Sequence, residues 1–172
     1  MKTTRFAFAP ATIVALGLSP LTPAARSDEE EIPLDGLPKA VSDAAKAKFP
    51  GARWREAAQE DEDGRTVSEV AMTHEGRRMD VAFRPDGALV LVETEAPEAD
   101  LPGAVREVVR GKYPGAKIGL VESVKKGPEL KGEVDFYELH LETEAGESVE
   151  IESDGSGKIL ETESGTDEGG RG

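Results

Sequence analysis

At 172 residues the chain has room for one ordinary domain or two small ones, and it sets 35 Asp and Glu against 21 Lys and Arg, a formal charge of −14. That balance excludes a nucleic-acid partner, which is gripped by clustered Lys and Arg, and disfavours anionic membrane surfaces. With no cysteine present, disulfides, thiolate nucleophiles, cysteine zinc sites and a lipid-anchored lipoprotein are excluded too.

Residues 1–27 read as a signal peptide. Lys2 and Arg5 form a positive start, Phe6 to Leu18 an apolar stretch, and Ser19 to Ser27 a small-residue segment suited to cleavage. The apolar stretch is short for a membrane span, and no second one follows. The expectation is a periplasmic or secreted protein with no membrane span in the mature chain. Removing residues 1–27 takes away Lys2, Arg5 and Arg26 and makes the remainder more acidic still. Residues 28–36 read as a disordered acidic leader.

A duplication then organises the rest. Leu37 to Ala52, LPKAVSDAAKAKFPGA, recurs as Leu101 to Ala116, LPGAVREVVRGKYPGA, at a constant spacing of 64 residues. Pro38 and Pro102 suit a helix start, and Ala40, Val41, Ala44 and Ala45 give a small-residue helical stripe. Phe49-Pro50-Gly51 and Tyr113-Pro114-Gly115 stop the helices.

Period-two segments follow in each copy. They run over about Arg53–Glu60, Arg65–His74, Arg77–Arg84 and Ala88–Glu95, then Lys117–Lys126, Glu133–Glu144, Glu147–Ser153 and Lys158–Glu163. Asp63-Gly64, Glu75-Gly76 and Asp86-Gly87 are hairpin signals, and Asp154-Gly155 aligns with the last of them. Strands joined by tight turns are antiparallel. The expected fold class is α+β: two tandem modules, residues 37–95 and 101–163, each one helix packed on a four-stranded antiparallel meander. Residues 96–100 form a linker between them and residues 164–172 a disordered tail.

One sheet face is apolar and must take the helix. It carries Trp54, Val70, Met72, Met79, Val81, Phe83, Leu89 and Leu91, then Ile118, Leu120, Val124, Tyr137, Leu139, Leu141, Val149, Ile151 and Ile159. The opposite face carries Glu69, Thr73, Arg78, Asp80 and Arg84 in the first copy and Glu138, His140, Glu142, Glu150 and Glu152 in the second. That helix-free face is the candidate partner surface, with Glu138, His140, Glu142, Glu150, Glu152, Arg78, Asp80 and Arg84 as its working residues.

Catalytic signals are weak. His74 and His140 are the two histidines and stand at non-equivalent places in the copies. Gly-x-Ser-x-Gly, His-Glu-x-x-His and phosphate-loop motifs are absent, so no enzyme activity and no cofactor are expected. Calcium is the stronger ligand. The acidic turn Asp61 to Gly64 fails the EF-hand spacing, because Met72 stands where the bidentate Glu belongs. The carboxylates Glu138, Glu142, Glu150 and Glu152 are expected to form a patch across neighbouring strands, where the repulsion of opposed like charges would be relieved by a cation or a basic partner. Trp54 aligns with Ile118, which favours a core role for it over an interface anchor.

Leu37-Pro38 with Phe49-Pro50-Gly51, and Leu101-Pro102 with Tyr113-Pro114-Gly115, followed by meanders with Asp-Gly turns, resemble the PepSY-like family, grouped with the beta-lactamase inhibitor protein fold. The resemblance covers nearly all of the mature chain as two copies. It implies an exported non-catalytic binding module that inhibits or senses a secreted or periplasmic hydrolase through the helix-free sheet face of the tandem copies. The better-known inhibitors contain disulfides, which this chain lacks.

Overall fold

The computed structural model describes residues 30–62, 65–128, 130 and 132–165. The signal segment, the Asp63-Gly64 turn and the tail beyond residue 165 lie outside them. Helix α1 (Lys39–Lys48) follows Pro38, whose φ of −52° suits helix entry, and ends at Phe49, whose N–H donates to Ala45 O at 2.9 Å. Helix α2 (Gly103–Lys112) repeats this: Pro102 has φ −54° and the Tyr113 N–H donates to Val109 O at 2.8 Å. Gly51 and Gly115 then take φ of +80° and +77°, a left-handed turn that a side chain would oppose.

The strands are β1 (Glu30–Ile32), β2 (Arg53–Glu62), β3 (Arg65–His74), β4 (Arg77–Phe83), β5 (Leu89–Glu95), β6 (Lys117–Lys126), β7 (Phe136–Glu142), β8 (Ser148–Ser153) and β9 (Ile159–Gly165). They lie in sequence order in one nine-stranded sheet, and every register found is antiparallel. This corrects the expectation of two modules, each a helix on its own four-stranded meander. Two pairings overturn it. Strand β5 does not end a meander but pairs onward with β6, from Leu91↔Lys126 to Glu95↔Glu122. Strand β1 adds a pairing at the other end, Glu30↔Gln59 to Ile32↔Ala57, within the stretch expected to be a disordered leader. The reason is the backbone: a sheet edge displays unpaired N–H and C=O groups, and pairing onward satisfies them.

The described residues divide into two compact units, one up to residue 90 and one from residue 91. In the first unit, Val41, Ala45, Val70, Met72, Val81 and Phe83 are completely or almost completely buried. Phe49 meets His74 edge-on at 5.7 Å, and Lys46 lies over the half-buried Trp54 ring at 5.5 Å, so α1 covers the Trp54–Met72–Met79 side of the sheet. In the second unit, Leu101, Val105 and Val109 from α2 and its approach pack on Val121, Leu139, Leu141, Val149 and Ile151. The Arg106 guanidinium donates to the carbonyls of Glu98, Ala99 and Leu101, which ties down the chain entering α2.

Each helix also rests on a turn glycine. A Cβ at Gly87 (φ +83°) would stand 2.6 Å from Ala40 O, and one at Gly157 (φ +85°) 2.7 Å from Ala104 O. Gly157 is therefore the structural counterpart of Gly87, where alignment of the Asp-Gly pairs suggested Gly155. In the second turn the Asp154 carboxylate accepts hydrogen bonds from Ser156 N, Ser156 Oγ and Lys158 N, and the Ser156 hydroxyl bond is the largest cause holding its pKa below the usual value.

Candidate functional site: a glutamate ladder

Side chains alternate across a strand, so the residues between Tyr137, Leu139 and Leu141 on β7 point away from α2. They are Phe136, Glu138, His140 and Glu142. Register extends this face across the second unit. Glu95 on β5 opposes Glu122 on β6, Glu122 opposes Glu138 on β7, Glu138 opposes Glu152 on β8, and Glu152 opposes Glu161 on β9. Five strands thus contribute one glutamate each to a continuous cross-strand row. A parallel row runs Leu120, His140, Glu150, Glu163. Directly opposed side chains have Cβ atoms about 4.5–5.5 Å apart, and like charges at that spacing destabilise a sheet.

The ladder is enclosed at its centre. Glu122 is 4% exposed and Glu138 2% exposed. His140 bridges the two rows: its Nε2 lies 3.0 Å from Glu138 Oε1 and its Nδ1 3.8 Å from Glu150 Oε2. Donor atoms of Glu122, Glu138 and His140 all lie within 4.8 Å of one another. Glu152 feels the crowding most clearly. Burial, then the charges of Glu138, Glu161 and Glu150, push its pKa up to about 7 against the opposing pull of Lys126. The Lys126 ammonium also sits 4.5 Å from the centre of the Phe136 ring.

Of the residues expected to work together, the structure joins Glu138, His140, Glu150 and Glu152. Glu142 stands at the exposed end of β7, 3.9 Å from Lys117, outside the cluster. In the first unit Asp80 is 6% exposed and opposes the buried Ala71, Arg78 is exposed opposite Thr73, and Arg84 lies just beyond β4. That face is thus less polar than expected, since Val67, Ala71 and Ala82 on it are buried.

Glu122 was missed, and Gly119 is the reason. The β6–β7 register slips between Ile118 and Leu120, so Ile118 still faces the core opposite Leu141 while Val121 takes the next core place opposite Leu139. Leu120, Val124 and Glu122 move to the other face, which corrects the placing of Leu120 and Val124 under the helix. Leu91, opposite Lys126, belongs with them. A glycine inside a strand is a signal for such a bulge.

A hollow of about 360 Å³ near the end of α2 is lined by Glu98, Val109, Arg110, Tyr113, Lys117 and Ile118.

No protein-family model matches the chain, and no curated protein matches it. Solved structures do. A DUF2874 family protein from Bacteroides uniformis is 18% identical, covers 74% of this chain and 88% of its own, and superposes with a TM-score of 0.58. A BLIP-like protein from Bacteroides fragilis is 18% identical over 77% of this chain and 91% of its own, with a TM-score of 0.54. A Bacteroides eggerthii chain described provisionally as periplasmic is 20% identical over 74% and 88%, with a TM-score of 0.56. At these identities the likeness establishes architecture alone: the chain has the fold of the BLIP-like proteins.

Proposed function

We propose that the chain is an exported, non-catalytic binding module that engages a basic surface of a secreted or periplasmic protein, inhibiting or sensing a hydrolase as the PepSY-like resemblance implies. The observation that carries this is the glutamate ladder from Glu95 to Glu161, five opposed carboxylates in register on the face turned from α2. Carboxylates aligned on one face present acceptors complementary to the Lys and Arg of a basic surface. The BLIP-like fold, the PepSY-like motifs at Leu37-Pro38 and Leu101-Pro102, the signal-like N-terminus and a fold neighbour described provisionally as periplasmic support export and binding together. Arg78, Asp80 and Arg84 of the first unit are kept as further candidate contact residues.

The test uses acidic residues of the two rows that are not enclosed and lie outside the Glu122–Glu138–His140 cluster. Glu161 and Glu163, both on β9, are replaced together by Lys, folding is checked by circular dichroism, and capture from an envelope fraction is compared with wild type. A partner held by wild type, released by salt and lost in the folded variant is expected. An unchanged set of captured proteins would sink the proposal.

A second reading is a divalent-cation-binding envelope protein, with calcium the ion the sequence suggests. The convergence of donor atoms from Glu122, Glu138 and His140 within 4.8 Å favours it. Calorimetric titration with calcium chloride should give one site per chain at millimolar concentration or tighter. Absence of heat there would remove calcium.

A further inference from the structure

We infer that Glu122, Glu138 and His140 form a site for one divalent metal ion of the zinc class. The inference rests on the cation reading above and changes its metal. Calcium takes six to eight oxygens, commonly from carboxylates, carbonyls and water in an adaptable shell. Here the donor set is small, enclosed and includes an imidazole, the combination that suits zinc and its neighbours, which accept nitrogen and carboxylate oxygen together.

Three features carry the argument. The first is convergence: three donor atoms on two adjacent strands already lie within 4.8 Å of one another. Ligands about 2.0–2.1 Å from a tetrahedral ion sit roughly 3.3 Å apart, so modest side-chain rotations close the shell. The second is enclosure: two directly opposed carboxylates are 4% and 2% exposed, so a metal ion held between them would be shielded from water. The third is the orientation of the ring. Nε2 faces Glu138 at 3.0 Å, while Nδ1 faces the carboxylate of Glu150 at 3.8 Å. A metal-bound histidine characteristically turns its second nitrogen to a carboxylate, which fixes the tautomer and raises the basicity of the first. Glu150 thus stands where a positioning residue belongs. Three protein ligands would leave a fourth place for water or for a group from a partner.

The experiment uses the full chain freed of metal by chelation and titrated with zinc chloride, cobalt chloride and calcium chloride. One zinc per chain is expected, with visible cobalt absorption of the tetrahedral type. His140→Ala should weaken zinc binding at least about 100-fold and Glu150→Gln about 10-fold, while Asp43→Asn, on α1, leaves it unchanged. The wild-type chain gives a readout independent of any variant's folding: of the two histidines, the ring nitrogens of His140 should shift on adding zinc and those of His74 should not. Calcium binding without zinc binding, or zinc binding that leaves the His140 ring untouched, would overturn the zinc site while leaving a cation reading in place. No binding of any of the three ions would overturn both, and the charge-reversal experiment on the partner surface stands apart from either result.

Discussion

Leu139→Ala is expected to lower the unfolding free energy by about 3 kcal/mol, within the roughly 2–5 kcal/mol range for leucine truncation in a closed core. Leu139 is fully buried in the cluster that joins α2 to the sheet, beside Val105, Val121 and Ile151. Its removal takes away apolar contact and leaves a cavity that flanking β-branched residues, held by paired strands, fill poorly. Leu160→Ala is the comparison, since Leu160 is 46% exposed and its loss should stay within about 0.5 kcal/mol. Urea unfolding of the three proteins reads the difference. A cost under about 1 kcal/mol for Leu139→Ala would mean that α2 does not close over β7.

Glu152→Gln is expected to flatten the pH dependence of stability between about pH 5 and pH 8. The folded-state pKa of Glu152 is raised from 4.5 to about 7, first by burial and then by Glu138, Glu161 and Glu150. Below pH 4.5 both folded and unfolded chains hold the proton, and the group contributes nothing. As the pH climbs towards 7 the unfolded chain releases it and the folded chain keeps it, so stability falls; above 7 the full loss is present. The rise corresponds to about 3 kcal/mol, which solvent access to this half-buried side chain reduces to about 1–2 kcal/mol. Glutamine carries no charge to bury, so the variant should gain that amount over wild type at pH 8 and little at pH 4. Equal slopes for the two proteins in urea melts across this range would refute the assignment.

Local structure was legible where local chemistry dictates it. Pro38 and Phe49-Pro50-Gly51 bound α1, and Pro102 and Tyr113-Pro114-Gly115 bound α2, because a fixed φ, a missing N–H and a left-handed glycine act within a few residues. Period-two runs and glycine turns placed most strand cores for the same reason. The sheet's extent was not legible. A hairpin signal says that two strands pair; it does not say where pairing stops, and nothing in Glu30–Ile32 or in the stretch after Glu95 announces the pairings of β1 and β5. The site was half legible. Glu138, His140, Glu150 and Glu152 follow from simple alternation, whereas Glu122 depends on the bulge at Gly119, a single-residue event that reassigns every side chain after it.

The last strand has a consequence for how copies of this chain meet. Among the described residues β9 has a sheet neighbour on one side only and so forms an edge of the sheet. An identical β9 laid alongside would bring the carboxylates of Glu161 and Glu163 against their own kind, extending the crowding that already raises Glu152. Self-association through that edge is therefore penalised by the same acidic residues that are proposed to face a cationic guest.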